Sequence, residues 1–466
     1  MVATSSGPEA RLKILVVTNL YPPHYYGGYE VRCAQVAEAL RSSGHDVRVL
    51  TSAYGLPLSP LGTLRRRTEE VNGVLVHRLL HQYVYEPQPA HRPWTVFRAR
   101  RELADVRTFV KLVKSFRPDI VNWWSMYGLS KSMLPLPPVW EIPDVHWIEH
   151  WWMIREYGPS GADLSAFWAK LWDGEWGPRA ARPLLRLAGR AWERRIAREG
   201  IPTREFANRP RHVCFVSEYM RALHRAAGLA FPSSEIIYGG VPAAAFFEPA
   251  VPRRREAGKL RILYAGQISL DRGLHTVIEA FGHLDPLVRP QLSLQVAGSG
   301  PADYLKRLKA RVEELRLGKC VAFCGKMAHD QMPRMYRESD VLVFPSIRDE
   351  GLPLTMVEAM LAGCAVLTTG SGGAMEIATA ADLPLFPKED AVALSRLLAR
   401  LVTHPEEVSR IAARGQEIAL RDFSFDRMME RWETTLRRLH ERALREGAAQ
   451  RAEACSASRP RAPELG

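Results

Sequence analysis

The sequence contains little cysteine and no long apolar run. Its 466 residues include six scattered cysteines, and neither a second pair nor a histidine cluster completes the zinc pattern that Cys320 and Cys324 could begin. No apolar stretch approaches the roughly eighteen residues of a membrane-spanning helix. The first ten residues also lack the apolar core of a signal peptide. We therefore expect a cytoplasmic protein whose thiols are reduced.

Two cofactor patterns are also missing. The N-terminal glycine loop does not have the G-x-G-x-x-G spacing, so a nicotinamide cofactor is not supported. No D-x-D cluster lies in a loop suited to a metal ion. We therefore predict no metal site, no obligatory divalent ion and no other obligatory cofactor.

The composition is that of a globular enzyme with an excess of positive charge. Hydrophobic residues make up 46% and charged residues 25%, and the length predicts two or more domains. The net charge of +13 indicates an anionic partner or surface, such as a nucleotide, a nucleic acid or lipid headgroups. An arginine-rich composition unrelated to function would give the same charge.

Apolar runs alternate with helical patterns in two blocks of the chain. Such alternation predicts, in each block, a parallel sheet covered by helices on both faces. The predicted units are an N-terminal domain 1–245, a linker 246–259, a C-terminal domain 260–424, a helix 425–446 that packs back on the first domain, and a disordered tail 447–466.

The stretch from Phe344 to Gly363 has the strongest chemical signal. A buried-strand pattern ends at Phe344, and an apolar-periodic helix follows Pro353, with Glu350 in the loop and Glu358 in the helix. The free amides of a helix start, together with the helix dipole, stabilise a bound phosphate. The sequence therefore predicts anion binding beyond the end of this strand.

This stretch resembles the signature of the retaining GT-B glycosyltransferases of family 4, in which two glutamates separated by seven residues follow Pro-Ser. The resemblance implies two Rossmann-like, doubly wound parallel-sheet domains that face an interdomain cleft. It also implies that Glu350 contacts the donor sugar and that Glu358 holds the ribose. The helix start at Gly351, Leu352 and Pro353 would hold the diphosphate.

Two loops resemble the diphosphate-binding parts of the same family. The loop that contains Gly27 and Gly28 is similar to one that closes over the donor phosphates. Tyr264–Gly273 resembles a Gly-Arg-x-x-x-x-Lys-Gly segment, with Gln267 in place of the arginine and Arg272 in place of the lysine. One positive charge is therefore missing. Either the helix dipole and Arg272 suffice, or another arginine contacts the phosphates.

Further turns match the family in order and spacing. The turn at Gly298 resembles the one near the nucleoside, and the segment that ends at Met327 resembles the one beside the nucleobase. The segment through Glu376 also matches, and we interpret it as structural. Taken alone, the two glutamates could be a loop carboxylate and a solvated helix carboxylate. The combined order of the motifs over roughly residues 260–380 favours the donor site.

The predicted transfer site lies in a tryptophan-rich segment, Trp140–Trp152. Family members often have a His-Asp pair after such a strand, and the nearest match here is Glu149-His150, in reversed order. We expect His150, and then Glu149, to line the transfer site. In the alternative interpretation, His150 is simply packed among tryptophans.

A basic segment, residues 151–212, is rich in tryptophan and arginine. Leu185, Ala188, Trp192 and Ile196 fall on one helical face, with arginines beside it. A helix of this kind can lie in a membrane interface, which would give peripheral contact with the inner face of a membrane. Alternatively, it covers the N-terminal domain, and its arginines are solvated.

The resemblance implies a retaining glycosyltransferase that moves a hexosyl group from a nucleotide-diphosphate-sugar to a hydroxyl acceptor. The acceptor could be a glycolipid, a polysaccharide or a small natural product, and no nucleic acid is involved. Glu350, His150 and Arg272 are the predicted catalytic residues. The acceptor hydroxyl is expected to attack on the face that the nucleotide leaves, and double displacement through a carboxylate is the alternative.

Two other functions stay open at this point. A nucleotide-sugar epimerase or a phosphorylase-like enzyme could share the fold, because a fold does not determine the reaction. A non-catalytic basic scaffold could bind an anionic polymer or a membrane surface. The glutamate pair argues against the scaffold, which needs neither carboxylate.

Overall fold

The computed structural model describes residues 10–25, 27–56, 67–84, 94–150, 154, 164–176, 178–203, 210–247 and 259–457. The strands in these ranges form one sheet of eight strands and one of five. Residues 248–258, most of the predicted linker, separate the last strand of the first sheet from the first strand of the second and lie outside the described ranges. We call the two units the N-terminal and C-terminal lobes.

The N-terminal lobe contains the larger sheet, in the order β3-β4-β2-β1-β5-β6-β7-β8. Its strands are β1 Lys13–Thr18, β2 Asp46–Ser52, β3 Arg67–Val71, β4 Val74–Leu80, β5 Ile120–Trp123, β6 Asp144–Ile148, β7 His212–Phe215 and β8 Ser233–Ile236. Its helices are α1 Gly28–Ser42, α2 Trp94–Phe116, α3 Leu136–Val139, α4 Leu164–Trp172, α5 Arg182–Arg198, α6 Glu218–Ala226 and α7 Ala243–Phe246.

One strand of this sheet departs from the predicted parallel arrangement. β3 pairs with β4 in the antiparallel direction, whereas the other pairings of the sheet are parallel. The two strands are joined by Asn72 and Gly73, which both have positive φ angles of 50° and 80°. Asn-Gly is the preferred pair for the tight turn of a β-hairpin, so this edge strand folds back on its neighbour.

The C-terminal lobe has a fully parallel sheet in the order β11-β10-β9-β12-β13. Its strands are β9 Leu260–Ala265, β10 Leu292–Ala297, β11 Val321–Gly325, β12 Val341–Phe344 and β13 Ala365–Thr368. Its helices are α8 Leu274–His283, α9 Ala302–Glu314, α10 Met332–Arg337, α11 Leu354–Leu361, α12 Ala374–Ala381, α13 Ala391–Thr403, α14 Pro405–Asp422 and α15 Phe425–Ala457.

Both sheets are doubly wound, which confirms the predicted fold class. Strand order reverses between β1 and β5 in the first sheet and between β9 and β12 in the second. Crevices at such reversal points, beyond the carboxyl ends of the strands, are where open α/β sheets bind ligands. The loops after β1, β9 and β12 are therefore the places to look for a site.

The last helix, α15, packs against the N-terminal lobe. The Trp432 ring lies edge-to-face on Trp147 at a centroid distance of 5.3 Å, and the Thr435 hydroxyl donates to Glu235 Oε1 at 2.9 Å. The helix continues to Ala457, so residues 447–457, predicted to be disordered, are helical. None of the described helices has the length and apolar character that crossing a membrane requires.

Helix α5, from the basic segment, is anchored through one face. The Trp192 ring packs edge-to-face on Trp172 of α4 at 5.7 Å, and Ile196 is buried. The interpretation that this face covers the lobe is therefore correct for Trp192 and Ile196. Ala188, predicted on the same face, is exposed instead. Residues 151–153, 155–163, 177 and 204–209 of the predicted basic segment lie outside the described ranges.

Candidate active site

A cleft of about 1090 Å³ lies between the two lobes. A smaller cavity of about 410 Å³ adjoins it. Residues of both lobes line each cavity. Four residues are common to the two linings: Glu149, His150, Arg272 and Glu350. These four were all expected at the donor or transfer site. They mark the point at which two ligands, one in each cavity, would meet.

Arg272 and Glu350 form an ion pair at this junction. Arg272 ends the 3-10 turn Leu270–Arg272 that follows β9, and Glu350 lies in the loop after β12. Gly273, with a φ of 74°, allows the two loops to touch, because a Cβ there would lie 2.0 Å from the carbonyl oxygen of Pro345. The Nε atom of Arg272 is buried and has no hydrogen-bond partner in this arrangement.

A second arginine, Arg348, lies beside the same carboxylate. Its Nε is 3.6 Å from Glu350 Oε1, and its Nη1 is 3.3 Å from Asp271 Oδ2. Gln267, the residue that replaces the expected arginine, does not line either cavity, and its carbonyl oxygen accepts a hydrogen bond from Tyr264. Arg348 therefore puts a second positive charge near Arg272. No family pattern marked this residue in the sequence.

The start of α11 forms part of the cleft wall. Leu352, Pro353, Leu354 and Thr355 line the cleft at the end of the helix where the backbone amides are free. Gly351 lies apart from this wall, in the smaller cavity. A Cβ at Gly351 would lie 2.4 Å from the carbonyl oxygen of Glu149, so this glycine allows the lobes to approach each other.

Glu358 lines the cleft one turn further along α11. The Tyr336 hydroxyl donates to Glu358 Oε2 at 2.8 Å. Burial, reinforced by the charge of Glu358, raises the pKa of Tyr336 well above its usual value, so the hydroxyl keeps its proton and remains a donor. Tyr336 thus orients the carboxylate that was predicted to hold the ribose. It was not found from the sequence.

Gly27 and Gly28 lie across the cleft, at the start of α1. The Gly27 amide donates to Glu30 Oε2 at 3.1 Å, which satisfies one free amide of the helix start. Open space surrounds the Cβ position of Gly28. Burial raises the pKa of Glu30, so this carboxyl is more readily protonated than an exposed glutamate.

The transfer end of the cleft contains a buried ion pair. Arg32 Nη1 lies 2.6 Å from Glu149 Oε2, and both side chains are about one tenth exposed. Burial would raise the pKa of Glu149, but Arg32, His150 and the Trp147 indole together lower it, so this carboxylate is charged. Arg32 was not predicted, because its partner lies 117 residues away in the sequence.

His150 lies beside this pair and lines both cavities. Its ring is 5.0 Å from the Tyr29 ring in an edge-to-face arrangement. Burial lowers the pKa of His150, although Glu149 opposes the shift, so the imidazole is neutral near neutral pH. A histidine packed only in the core would line no cavity, so that alternative does not fit His150.

Gly298 and Met327 do not line either cavity. A Cβ at Gly298 would lie 1.9 Å from the carbonyl oxygen of Gly266, so its role in this structure is close packing of the β9 and β10 loops. Met327 is partly buried against the core. Their contact with a nucleoside stays a prediction.

Glu376 joins the two lobes. Its carboxylate accepts hydrogen bonds from the backbone amides of Glu218 and Tyr219, at 2.9 and 2.7 Å, at the start of α6. The Ser217 hydroxyl, one residue earlier, donates to the carbonyl oxygen of Gly351 at 2.6 Å. A negative charge at a helix start is stabilising. Glu376, which we interpreted as structural, therefore caps a helix of the opposite lobe.

One group of residues away from the cleft has the elements of a metal site. His212, Cys214 and Glu235 place their ligand atoms within 4.8 Å of one another. Glu235 Oε1 already accepts from Thr435 and Arg438 of α15, at 2.9 and 2.7 Å. The adjacent guanidinium opposes a bound cation, so this group attaches α15 to the sheet.

Two family models match most of the chain. The model described as Glycosyltransferase Family 4 matches residues 26–245, and the model described as Glycosyl transferases group 1 matches residues 250–418. The chain therefore belongs to the group 1 glycosyltransferases of the GT-B fold.

Relatives and solved structures agree with this assignment. An uncharacterised glycosyltransferase of Methanocaldococcus jannaschii is 26% identical over 386 residues, which cover 78% of this chain and 82% of the relative. Sucrose-phosphate synthase of Thermosynechococcus elongatus superposes with a TM-score of 0.62 at 19% identity, over 92% of this chain and 99% of that chain. Anabaena HepE, solved with UDP and glucose, has a TM-score of 0.60 at 18% identity, over 91% of this chain and 99% of that chain.

Proposed function

We propose that this glycosyltransferase moves a sugar from a nucleotide-diphosphate-sugar donor to a hydroxyl acceptor and retains the anomeric configuration. The observation that supports it most is the junction of the two cavities. Arg272, Glu350 and His150 line both, so a donor in the large cleft and an acceptor in the small cavity would meet at these three side chains. HepE, with the same fold, was solved with UDP and glucose.

The donor diphosphate would lie against the start of α11. Arg272 lines the cleft there, and the helix start adds free amides. These groups would stabilise the charge that develops on the departing nucleotide. Because Arg272 and the helix dipole supply positive charge there, and Arg348 lies nearby at Glu350, we propose that transfer needs no obligatory divalent ion.

The donor sugar would lie at Glu350. In the ligand-free protein this carboxylate is paired with Arg272 and accepts from the Ser346 hydroxyl at 3.3 Å. On donor binding, Arg272 would turn from the carboxylate to the diphosphate, and Glu350 would accept hydrogen bonds from sugar hydroxyls. The ion pair thus holds both groups at the junction until the donor arrives.

Retention would follow from attack on the face that the nucleotide leaves. The acceptor oxygen bonds to the anomeric carbon, the bond from that carbon to the phosphate oxygen breaks, and the acceptor proton passes to the departing phosphate. Double displacement needs a carboxylate free to attack the anomeric carbon. Glu149 is bound to Arg32, and Glu350 would be engaged by sugar hydroxyls of the donor, which favours the direct route.

The test is a screen of nucleotide sugars for donor hydrolysis, followed by thermal shift with the same set. One donor should be hydrolysed and should raise the unfolding temperature. With an acceptor, proton NMR of the product should show the anomeric configuration of the donor. Failure of every nucleotide sugar in both assays would contradict the donor class, and an inverted product would contradict retention.

A further inference from the structure

The outward face of α5 exposes leucine side chains. Leu184 and Leu187 are 74% and 70% exposed, and Ala188 and Ala191 are exposed beside them. The spacing i, i+3, i+4 and i+7 puts the four residues on one side of the helix. Ile196, which is buried, lies on a different side of the helix. The leucines therefore do not contribute to the core of the lobe.

Arginines surround this apolar strip. The exposed arginines of α5 are Arg182, Arg186, Arg190, Arg194, Arg195 and Arg198. The helix contains a single acidic residue, Glu193. Glu199, which follows the helix, is held by two hydrogen bonds of 2.8 Å from Arg107 of α2. Its charge is thereby neutralised, and Lys111 and Lys114 of α2 extend the basic surface.

Exposed leucines together with clustered arginines limit the kind of partner. A nucleic acid would be held by the arginines alone, because its backbone attracts cations and offers nothing to a leucine side chain. An anionic bilayer satisfies both features, since headgroup phosphates pair with arginines and the acyl boundary accepts leucines. The net charge of +13 strengthens the attraction.

We propose that the Leu184/Leu187 face of α5 docks the protein on an anionic lipid bilayer. This differs from the membrane interpretation of the sequence, which placed Trp192 in the interface. Trp192 packs inward on Trp172, and the exposed strip lies about a quarter turn around the helix from it. The proposal rests on α5 alone and is independent of the transfer chemistry.

The test is sedimentation of the full chain with vesicles of phosphatidylcholine, with or without phosphatidylglycerol. The protein should sediment with the anionic vesicles, and less so as salt rises. The variant L184E/L187E should weaken binding roughly tenfold or more, because it removes the inserted groups and adds negative charge. The variant R190E/R194E should weaken it to a similar extent.

Matched controls lie on the other lobe. Leu287 is 82% exposed, so L287E makes one such leucine change away from α5. Arg396 and Arg410 are exposed on α13 and α14, so R396E/R410E repeats the charge change. These controls should bind vesicles as the unmodified protein does. Thermal unfolding of every variant checks that the fold is kept.

Three results would overturn the proposal. The unmodified chain could fail to bind anionic vesicles, or it could bind both kinds of vesicle equally. The L184E/L187E variant could bind as tightly as L287E, which would leave only diffuse charge attraction. Finally, gel filtration could show a dimer that L184E/L187E dissociates while vesicle binding is unchanged, which would make this face a contact between copies of the chain.

Discussion

The two lobes contribute to the cleft in different ways. In the C-terminal lobe, Arg272 and Glu350 come from loops after the adjacent strands β9 and β12, each part of a strand-loop-helix unit. In the N-terminal lobe, Arg32 of α1 pairs with Glu149, which follows β6. The donor end thus joins the loops of two adjacent strands of one sheet, whereas the transfer end joins α1, which follows β1, to the loop after β6, two strands away in the sheet.

The largest effect is expected at the donor end. Glu350→Gln keeps the shape of the side chain and removes its charge, so transfer should fall by about 10²–10³-fold. The measurement is the steady-state rate with the donor found in the screen. Glu313→Gln, at an exposed position of α9 in the same lobe, is the control and should leave the rate unchanged. A Glu350→Gln enzyme with full activity would remove this residue from the mechanism.

The next largest effect is expected at the transfer end, on the free energy of unfolding of the protein. Arg32→Met leaves Glu149 buried without its partner, which should lower the free energy of unfolding by about 3–5 kcal/mol. Arg32→Met combined with Glu149→Gln removes both charges and should recover part of the loss. Chemical denaturation measures the free energy of unfolding of the single and the double variant. Equal losses in the single and double variants would show that the two charges are not coupled.

The lobes should also respond differently to acid. Burial lowers the pKa of His146, His150 and His224 in the N-terminal lobe, and of His275 in the described part of the C-terminal lobe. Because these folded-state values lie below that of the unfolded chain, the unfolded state binds more protons. The stability from each group is complete above about pH 6.5 and is lost as the pH falls, by up to about 1.4 kcal/mol per pH unit.

Hydrogen exchange at about pH 7.5 and about pH 5.5, with rates corrected for intrinsic exchange, measures this difference. Amides of the N-terminal lobe should lose more protection on acidification than those of the C-terminal lobe. Equal loss in both lobes would show that the buried histidines do not set the acid response.

The smallest effect concerns the contact between the lobes. Glu376→Gln removes the charge that caps α6, which should cost about 1 kcal/mol. Because Ser217 and Glu376 hold the lobes at the cleft, the Michaelis constant for the donor should also rise. Ser217→Ala should give a smaller change of the same sign. Thermal unfolding measures the stability, and small-angle scattering measures the separation of the lobes. Unchanged scattering would show that Glu376 caps α6 without holding the lobes together.

The fold could be predicted because its signals are local. The strand that ends at Phe344 and the helix that begins at Leu354 each follow from a short apolar pattern, and similar units repeat in both lobes. The antiparallel strand β3 was missed although the Asn72-Gly73 turn was a usable signal. Residues 447–457 were assigned to a tail from composition, but they continue a helix that already packs on the other lobe.

The candidate site could be predicted only in part. Glu350, Glu358 and Arg272 lie in motifs with fixed spacing, and the structure puts all three at the cleft. Arg348 lies two residues before Glu350, but its neighbour Arg272 comes from another loop. Arg32 depends on a partner 117 residues away. Such contacts form when separate strands and helices pack together. Periodicity and spacing within one segment therefore do not predict them.

The most direct test of the account is titration of UDP, ADP and GDP into the protein, Arg272→Gln and Glu350→Gln by calorimetry. One nucleotide should bind the unmodified protein. Arg272→Gln should weaken that binding by roughly tenfold or more, because the diphosphate loses a charged hydrogen bond. Glu350→Gln should keep or strengthen it, since Arg272 is released from its ion pair, and yet lower transfer by about 10²–10³-fold. If Arg272→Gln bound the nucleotide as tightly as the unmodified protein, the assignment of the diphosphate to this side of the cleft would be contradicted.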